Sequence, residues 1–190
     1  MEKVILAIIA GSAFGFVLDR VGATNPNYII HMLRLSKLHL MKTILMGIGV
    51  SSVLMFAGIL VGLIDVGHMS VKAAYVGVFV GGILLGLGFA VAGYCPGTGL
   101  TAAATGRKDA WFFILGGLLG AGAYMATYSE IAATGILDNI LGGKVTVAAI
   151  AGTKYPSLFD AMSGELVGII LGIAFIAIAY VLPDQLRKGK

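Results

Sequence analysis

Residues 73–106 run for 34 positions without an Asp, Glu, Lys or Arg, between Lys72 and Arg107. As one straight helix this run would reach about 51 Å, well beyond the ~30 Å hydrocarbon core of a bilayer. A chain that holds it must interrupt it. The expected break is Cys95-Pro96-Gly97-Thr98-Gly99, because proline removes an amide donor and clashes with the preceding turn while glycine relaxes the backbone. Unwound backbone at membrane depth is tolerated only where protein or a watery cavity surrounds it. The segment is therefore a candidate site on sequence grounds alone.

The remainder of the chain reads as membrane protein. Of its residues 58% are hydrophobic and 12% charged, against roughly 25% charged in an ordinary soluble domain. Mean hydropathy is +0.99. The expected fold is all-α: a single integral membrane domain over residues 1–190, a polytopic bundle of about five spans. These are placed at 4–18, 43–64, 74–106 interrupted at 95–99, 110–129 and 164–183. The first run follows Lys3, so a cleaved signal segment competes with a helix. No convincing small-x-small cleavage site precedes Asp19 and Arg20, and the helix is preferred. Glycines four residues apart recur at Gly11/Gly15, Gly58/Gly62, Gly77/Gly81, Gly82/Gly86, Gly116/Gly120 and Gly164/Gly168/Gly172. Such rows let helix backbones approach closely.

The 13 basic residues outnumber the 9 acidic ones, giving a net charge of +4, but they are scattered between apolar runs. A nucleic-acid surface would cluster them, so no nucleic-acid partner is expected and the cations are read as topology signals. If the interrupted segment crosses once, Arg20, Arg34, Lys37, Lys42, Arg107, Lys108, Arg187, Lys188 and Lys190 share one side. Lys3, Lys72, Lys144 and Lys154 share the other, which favours a cytoplasmic C-terminus. If the segment re-enters instead, the division is nearly even and the rule decides nothing. Residues 28–42, YIIHMLRLSKLHLMK, are expected to form an interfacial helix. Its His31, Arg34, Lys37 and His39 either touch lipid headgroups or gather anions at a pore mouth. Residues 131–160 are expected to form an outer connection with a short helix or two.

After the break, GTGLTAAATG at 97–106 reads as a half-helix, with Pro96 suited to its first turn and Thr98 able to help cap it. Free amides and the dipole at such a helix start make a seat for an anion without a full buried cation. Cys95 stands immediately before it, where its thiol can donate a weak hydrogen bond or touch sulfur. Tyr94, Thr98 and Thr101 add hydroxyls. A packed cysteine and a mere kink are the plainer alternative. A lone cysteine can form no intrachain disulfide and no thiolate cage, so no metal or cofactor is expected. Asp65, His68, Asp138 and Glu165 sit where membrane edges explain them. The absence of HExxH, GxSxG, Walker and paired-carboxylate patterns leaves a hydrolase or ATPase without its residues. The chain reads as a non-enzyme. At Gly97 a valine is expected to harm the loop.

The stretch GFAVAGYCPGTGLTAAATGRKDAWFFILGGLLGA, residues 88–121, resembles the YeeE/YedE family of membrane proteins, and RLSKLHLMKTILMGIGVSS, residues 34–52, is similar to the segment that family places upstream. The resemblance implies an inner-membrane, multi-pass helical protein that imports thiosulfate or a related small sulfur-containing anion through a central thiol-lined constriction. It implies that Cys95 contacts sulfur and that Pro96, Gly97 and Thr98 shape the loop, with Gly99 and Tyr94 beside them. It also implies a cytosolic sulfur-carrier or rhodanese-like partner. A membrane subunit that docks such a protein without conducting substrate is the alternative function. Full-length members are about twice as long, with two halves and several cysteines. This sequence carries one CPGT motif and one thiol, so a homo-oligomer or a second YeeE/YedE-like half is the expected partner, alongside lipid.

Overall fold

The computed structural model describes residues 2–68, 70–140, 142–150, 152–153 and 155–185. Four cations of the topology count, Lys154, Arg187, Lys188 and Lys190, lie outside the described residues. In chain order the elements are α1 (Glu2–Arg20), α2 (Pro26–Leu33), α3 (His39–Leu60), a 3-10 turn at Val66–His68, α4 (Val76–Ala92), α5 (Pro96–Ala104), α6 (Lys108–Ala133), β1 (Thr146–Ala149), β2 (Ser157–Ser163) and α7 (Gly164–Val181). Four segments are long and apolar enough to cross a membrane: His39–Leu60, Val76–Ala104, Lys108–Ala133 and Gly164–Val181. The fold is that of a helical membrane protein. The fifth span expected at 4–18 is helical within α1 but does not belong to this set. Glu2, Lys3, Asp19 and Arg20 bound a run that as a helix is only about 22 Å long, short of the ~30 Å core.

The chain divides into two units. The first holds α1, α2, the C-terminal part of α4, α5 and most of α6, and includes residues 183–185. Asn25 caps α2 by accepting from the Asn27 N–H at 3.1 Å, and Pro26 follows it in the first turn, where its missing N–H costs nothing. The single interfacial helix expected over 28–42 is divided. α2 ends at Leu33, Leu35 takes a left-handed φ of 57°, and α3 starts only at His39. Ser36 stabilises the corner by donating to the His31 carbonyl at 3.0 Å, and the Leu38 N–H donates to the Asp184 carbonyl at 3.0 Å. Ile29, Met32, Leu38 and Leu40 are buried around it.

The second unit contains α3, the connection to α4, the start of α4, the end of α6, both strands and α7. Its organising contact is the approach of α3 to α7. A Cβ on Gly49 would lie 2.7 Å from the Gly172 carbonyl oxygen, and one on Gly172 would lie 2.8 Å from the Gly49 carbonyl oxygen. Gly168 sits directly against the Phe56 ring, and the Ser52 hydroxyl donates to the Gly168 carbonyl at 2.9 Å. This part of the glycine spacing does what small residues do between membrane helices. The other rows are mixed: Gly58 lies against Ile64 and Gly77 against Tyr75 and Ile136, while Gly81, Gly82, Gly86, Gly116 and Gly120 have open space where a side chain would begin.

The helices expected within 131–160 are replaced by strands. β1 and β2 pair in parallel, Thr146 opposite Ser157 and Ala148 opposite Phe159, with an irregularity after Ala148. Thr146, Val147 and Phe159, branched or aromatic, suit extended chain, and Gly135, Gly142, Gly143 and Gly152 hold positive φ in the turns around them. An antiparallel bridge joins Tyr75 to Asn139.

Gly168→Ala is expected to destabilise the detergent-solubilised protein by about 1–3 kcal/mol, the usual cost of forcing atoms into a filled contact. Gly116→Ala, which meets nothing, should leave the melting temperature unchanged or raise it. Thermal unfolding followed by circular dichroism distinguishes the two.

Candidate functional site

The long uncharged run is interrupted, but slightly earlier than expected. α4 ends at Ala92, Gly93 turns the chain with φ 70°, and Tyr94 and Cys95 lead to Pro96, already the first residue of α5. Residues 96–99, counted within the interruption at 95–99, are the first turn of the half-helix read over 97–106. The reason is that Pro96 at a helix start is pre-set for the helical φ and lacks only a donor that would have been unpaired anyway. The turn belongs to Gly93, where a Cβ would meet the Pro26 Cβ at 2.7 Å as well as straining the backbone.

Cys95 is the N-cap of α5. Its Sγ accepts from the Thr98 N–H at 3.4 Å and from the Thr98 hydroxyl at 3.3 Å, and its own N–H donates to Thr98 Oγ1 at 2.8 Å. These reciprocal bonds form a capping box with sulfur in the place usually held by oxygen. The Gly99 N–H makes the first helical bond, to the Cys95 carbonyl at 2.9 Å. The amides at this helix start are thus largely used by the chain's own cap, a correction to the open cluster expected from sequence. The single Thr98 hydroxyl proton lies between Cys95 Sγ and the Cys95 carbonyl oxygen at 3.2 Å, and the sulfur takes part in these contacts as an acceptor, which leaves its S–H to donate to an outside acceptor. Cys95 is half-buried, Thr98 buried and Pro96 exposed.

α5 is fixed by small residues. Ala102 and Ala103 are buried together with Tyr94 and Ala110, with Phe113 and Ile114 packed on them. A Cβ on Gly99 would lie 2.5 Å from the Phe113 ring. Gly97 is different: its nearest neighbour would be the Phe14 ring at 4.0 Å. The close contacts that require glycine lie at Gly93 and Gly99, and Gly93 alone of these three glycines holds a positive φ. The Thr101 hydroxyl donates to the Gly97 carbonyl at 3.0 Å, within the helix.

Sequence reasoning assigned Arg107 to the topology count and left Asp109 without a role. Both join the site. The Tyr94 hydroxyl donates to Asp109 Oδ2 at 2.8 Å and accepts from Arg107 Nε at 2.8 Å, while Arg107 Nη2 reaches Asp109 Oδ2 at 2.9 Å. The hydrogen bond to Asp109 raises the Arg107 pKa above its ordinary value, so the guanidinium stays charged. The available signal was a charged turn directly after a half-helix preceded by tyrosine. Among the described residues, no group of three or more His, Cys, Asp or Glu gathers.

A family model described as sulphur transport matches residues 26–190. The chain belongs to the YeeE/YedE sulphur-transport family. Membership extends over α2 to the C-terminus and so includes the interrupted segment and both units. No curated protein and no solved structure matches the chain. The family is one of sulfur-compound transport, and its four apolar spans make this member a membrane protein.

Three substitutions test the site's construction. Thr98→Ala removes one half of the capping box and should cost about 0.5–2 kcal/mol. Gly99→Ala should lower the melting temperature while Gly97→Ala does not. Equal effects at the two glycines would mean that Phe113 does not restrain α5.

Proposed function

We propose that the chain conducts thiosulfate or a related small sulfur-containing anion across the inner membrane into the cytosol, through a constriction at which Cys95 contacts the substrate. The observation that carries this reading is the half-buried Cys95 thiol at the start of a half-helix interrupting a membrane span, in a member of the sulphur-transport family. The helix start favours an anion through the aligned peptide dipoles. The S–H donates to it, and polarizable sulfur meets polarizable sulfur without any bond being made or broken. Pro96, Gly97, Thr98 and Gly99 shape the surface around the thiol, with Tyr94 immediately before it. A C-terminus on the cytoplasmic side agrees with the bias of Lys and Arg in the sequence. A single thiol per chain fits a homo-oligomer or a second half of the same family, and a sulfur-carrier or rhodanese-like protein would receive the product.

Uptake of sulfur-labelled thiosulfate into proteoliposomes containing the full chain tests the reading, with sulfate as competitor. Cys95→Ser should keep the fold and reduce the initial rate about fivefold to tenfold, the effect of losing one contact worth ~1 kcal/mol. Unchanged uptake in that variant would remove Cys95 from the mechanism. Absence of uptake by folded wild-type protein, both alone and with a co-reconstituted second half, would favour a docking subunit.

A further inference from the structure

We propose that Tyr94, Arg107 and Asp109 act as a clamp that sets the position of Cys95; this rests on the reading of Cys95 as the group that meets the substrate. α5 hangs between two glycines in the left-handed region, Gly93 with φ 70° and Gly106 with φ 88°. At both points the backbone has the freedom that only glycine enjoys without strain. Between them lies one short rigid rod, the nine-residue α5 of about 14 Å. Backbone geometry alone leaves the tilt of that rod adjustable, and Cys95 rides on its tip.

The clamp bridges the two swivels. Tyr94 follows Gly93 and Arg107 follows Gly106, and their side chains meet at 2.8 Å. Asp109, in the first turn of α6, accepts from both: from the Tyr94 hydroxyl at 2.8 Å and from Arg107 through Nη2 at 2.9 Å and Nε at 3.2 Å. An exposed Arg–Asp pair alone contributes little. Here it is completed by a tyrosine that is only 3% exposed, so water cannot readily take the place of its partners. The Tyr94 ring is held by Phe113 at 5.7 Å between centroids, and Phe113 in turn lies over Gly99 of the rod. One peptide bond joins Tyr94 to Cys95. Any rotation of Tyr94 is therefore passed to the thiol and to its bonds with Thr98. Tyr94 is a positioning residue on this account, with its hydroxyl proton engaged by Asp109.

The test uses the full chain in liposomes and two independent readouts: the alkylation rate of Cys95 by N-ethylmaleimide, and the initial rate of labelled thiosulfate uptake as a function of concentration. Tyr94→Phe keeps the ring and removes the hydroxyl; Asp109→Asn removes the charge. Each should speed alkylation about threefold or more as the thiol leaves its cap, and lower maximal uptake about tenfold with little change in the half-saturating concentration. The double variant should add little to either single one, because all three groups act as one unit. Gly168→Ala, which loosens the other unit without touching the clamp, should alkylate at the wild-type rate. Unchanged or slower alkylation in folded Tyr94→Phe overturns the clamp, as does equal acceleration in Gly168→Ala. If Tyr94→Phe fails to fold, Arg107→Lys, which keeps the charge but loses the fork, is judged by the same criterion. Absence of thiosulfate uptake by the wild type would overturn the transport reading alone, since alkylation reports on the clamp without transport.

Discussion

A backbone that leaves its helix inside hydrocarbon must satisfy its own polar groups, because no water is there to do so. The structure meets this demand with few residues. Gly93 makes the turn, Pro96 contributes no N–H, and Cys95 and Thr98 exchange reciprocal hydrogen bonds across the start of α5. The close seat of Ala102 and Ala103 beside Ala110, and of Gly99 beneath Phe113, depends on α5 starting where this cap places it. A start one residue later would carry each of these contacts about 100° around the helix.

Close approach of backbones is the second organising principle. Lipid tails are as apolar as leucine, so membrane helices gain little from apolar burial and associate through close contact instead. In the second unit, Gly49 and Gly172 bring α3 and α7 to carbonyl contact, and Ser52 adds a hydrogen bond to the Gly168 carbonyl. Gly81, Gly82 and Gly86 on α4 and Gly116 and Gly120 on α6, spaced in the same way, meet nothing among the described residues, whereas Gly77 at the start of α4 lies against Tyr75 and Ile136. Spacing alone therefore announces the capacity for close packing without naming the partner.

The break, the half-helix and its capping by Thr98 were legible in the sequence, because proline, glycine and hydroxyl residues act through the backbone over one turn. The site's charged members were not. Arg107 and Asp109 reach Tyr94 only after the chain has passed through α5 and turned back at Gly106, and sequence distance conceals that return. The corner at Leu35 was hidden for a different reason: it adopts a left-handed φ without the glycine that would have marked it. Residues 146–163 lacked a strong period of either kind, and there the pairing of Thr146 with Ser157 and of Ala148 with Phe159 decided for strands. For α1, both the apolar run and the charges that bound it at Lys3 and Asp19 were legible, and the run is helical.

Sulfur in the cap has a thermodynamic consequence. Serine, threonine, aspartate and asparagine are the residues that hold helix starts best, and cysteine accepts hydrogen bonds only weakly. The bond from the Thr98 amide to Cys95, at 3.4 Å, leaves the first turn of α5 easier to open than an oxygen cap would. Whatever engages the thiol must compete with that turn, so occupancy of the sulfur and order of the helix start are linked equilibria. Stability has been surrendered locally at the one position where a better-capping residue would carry no thiol.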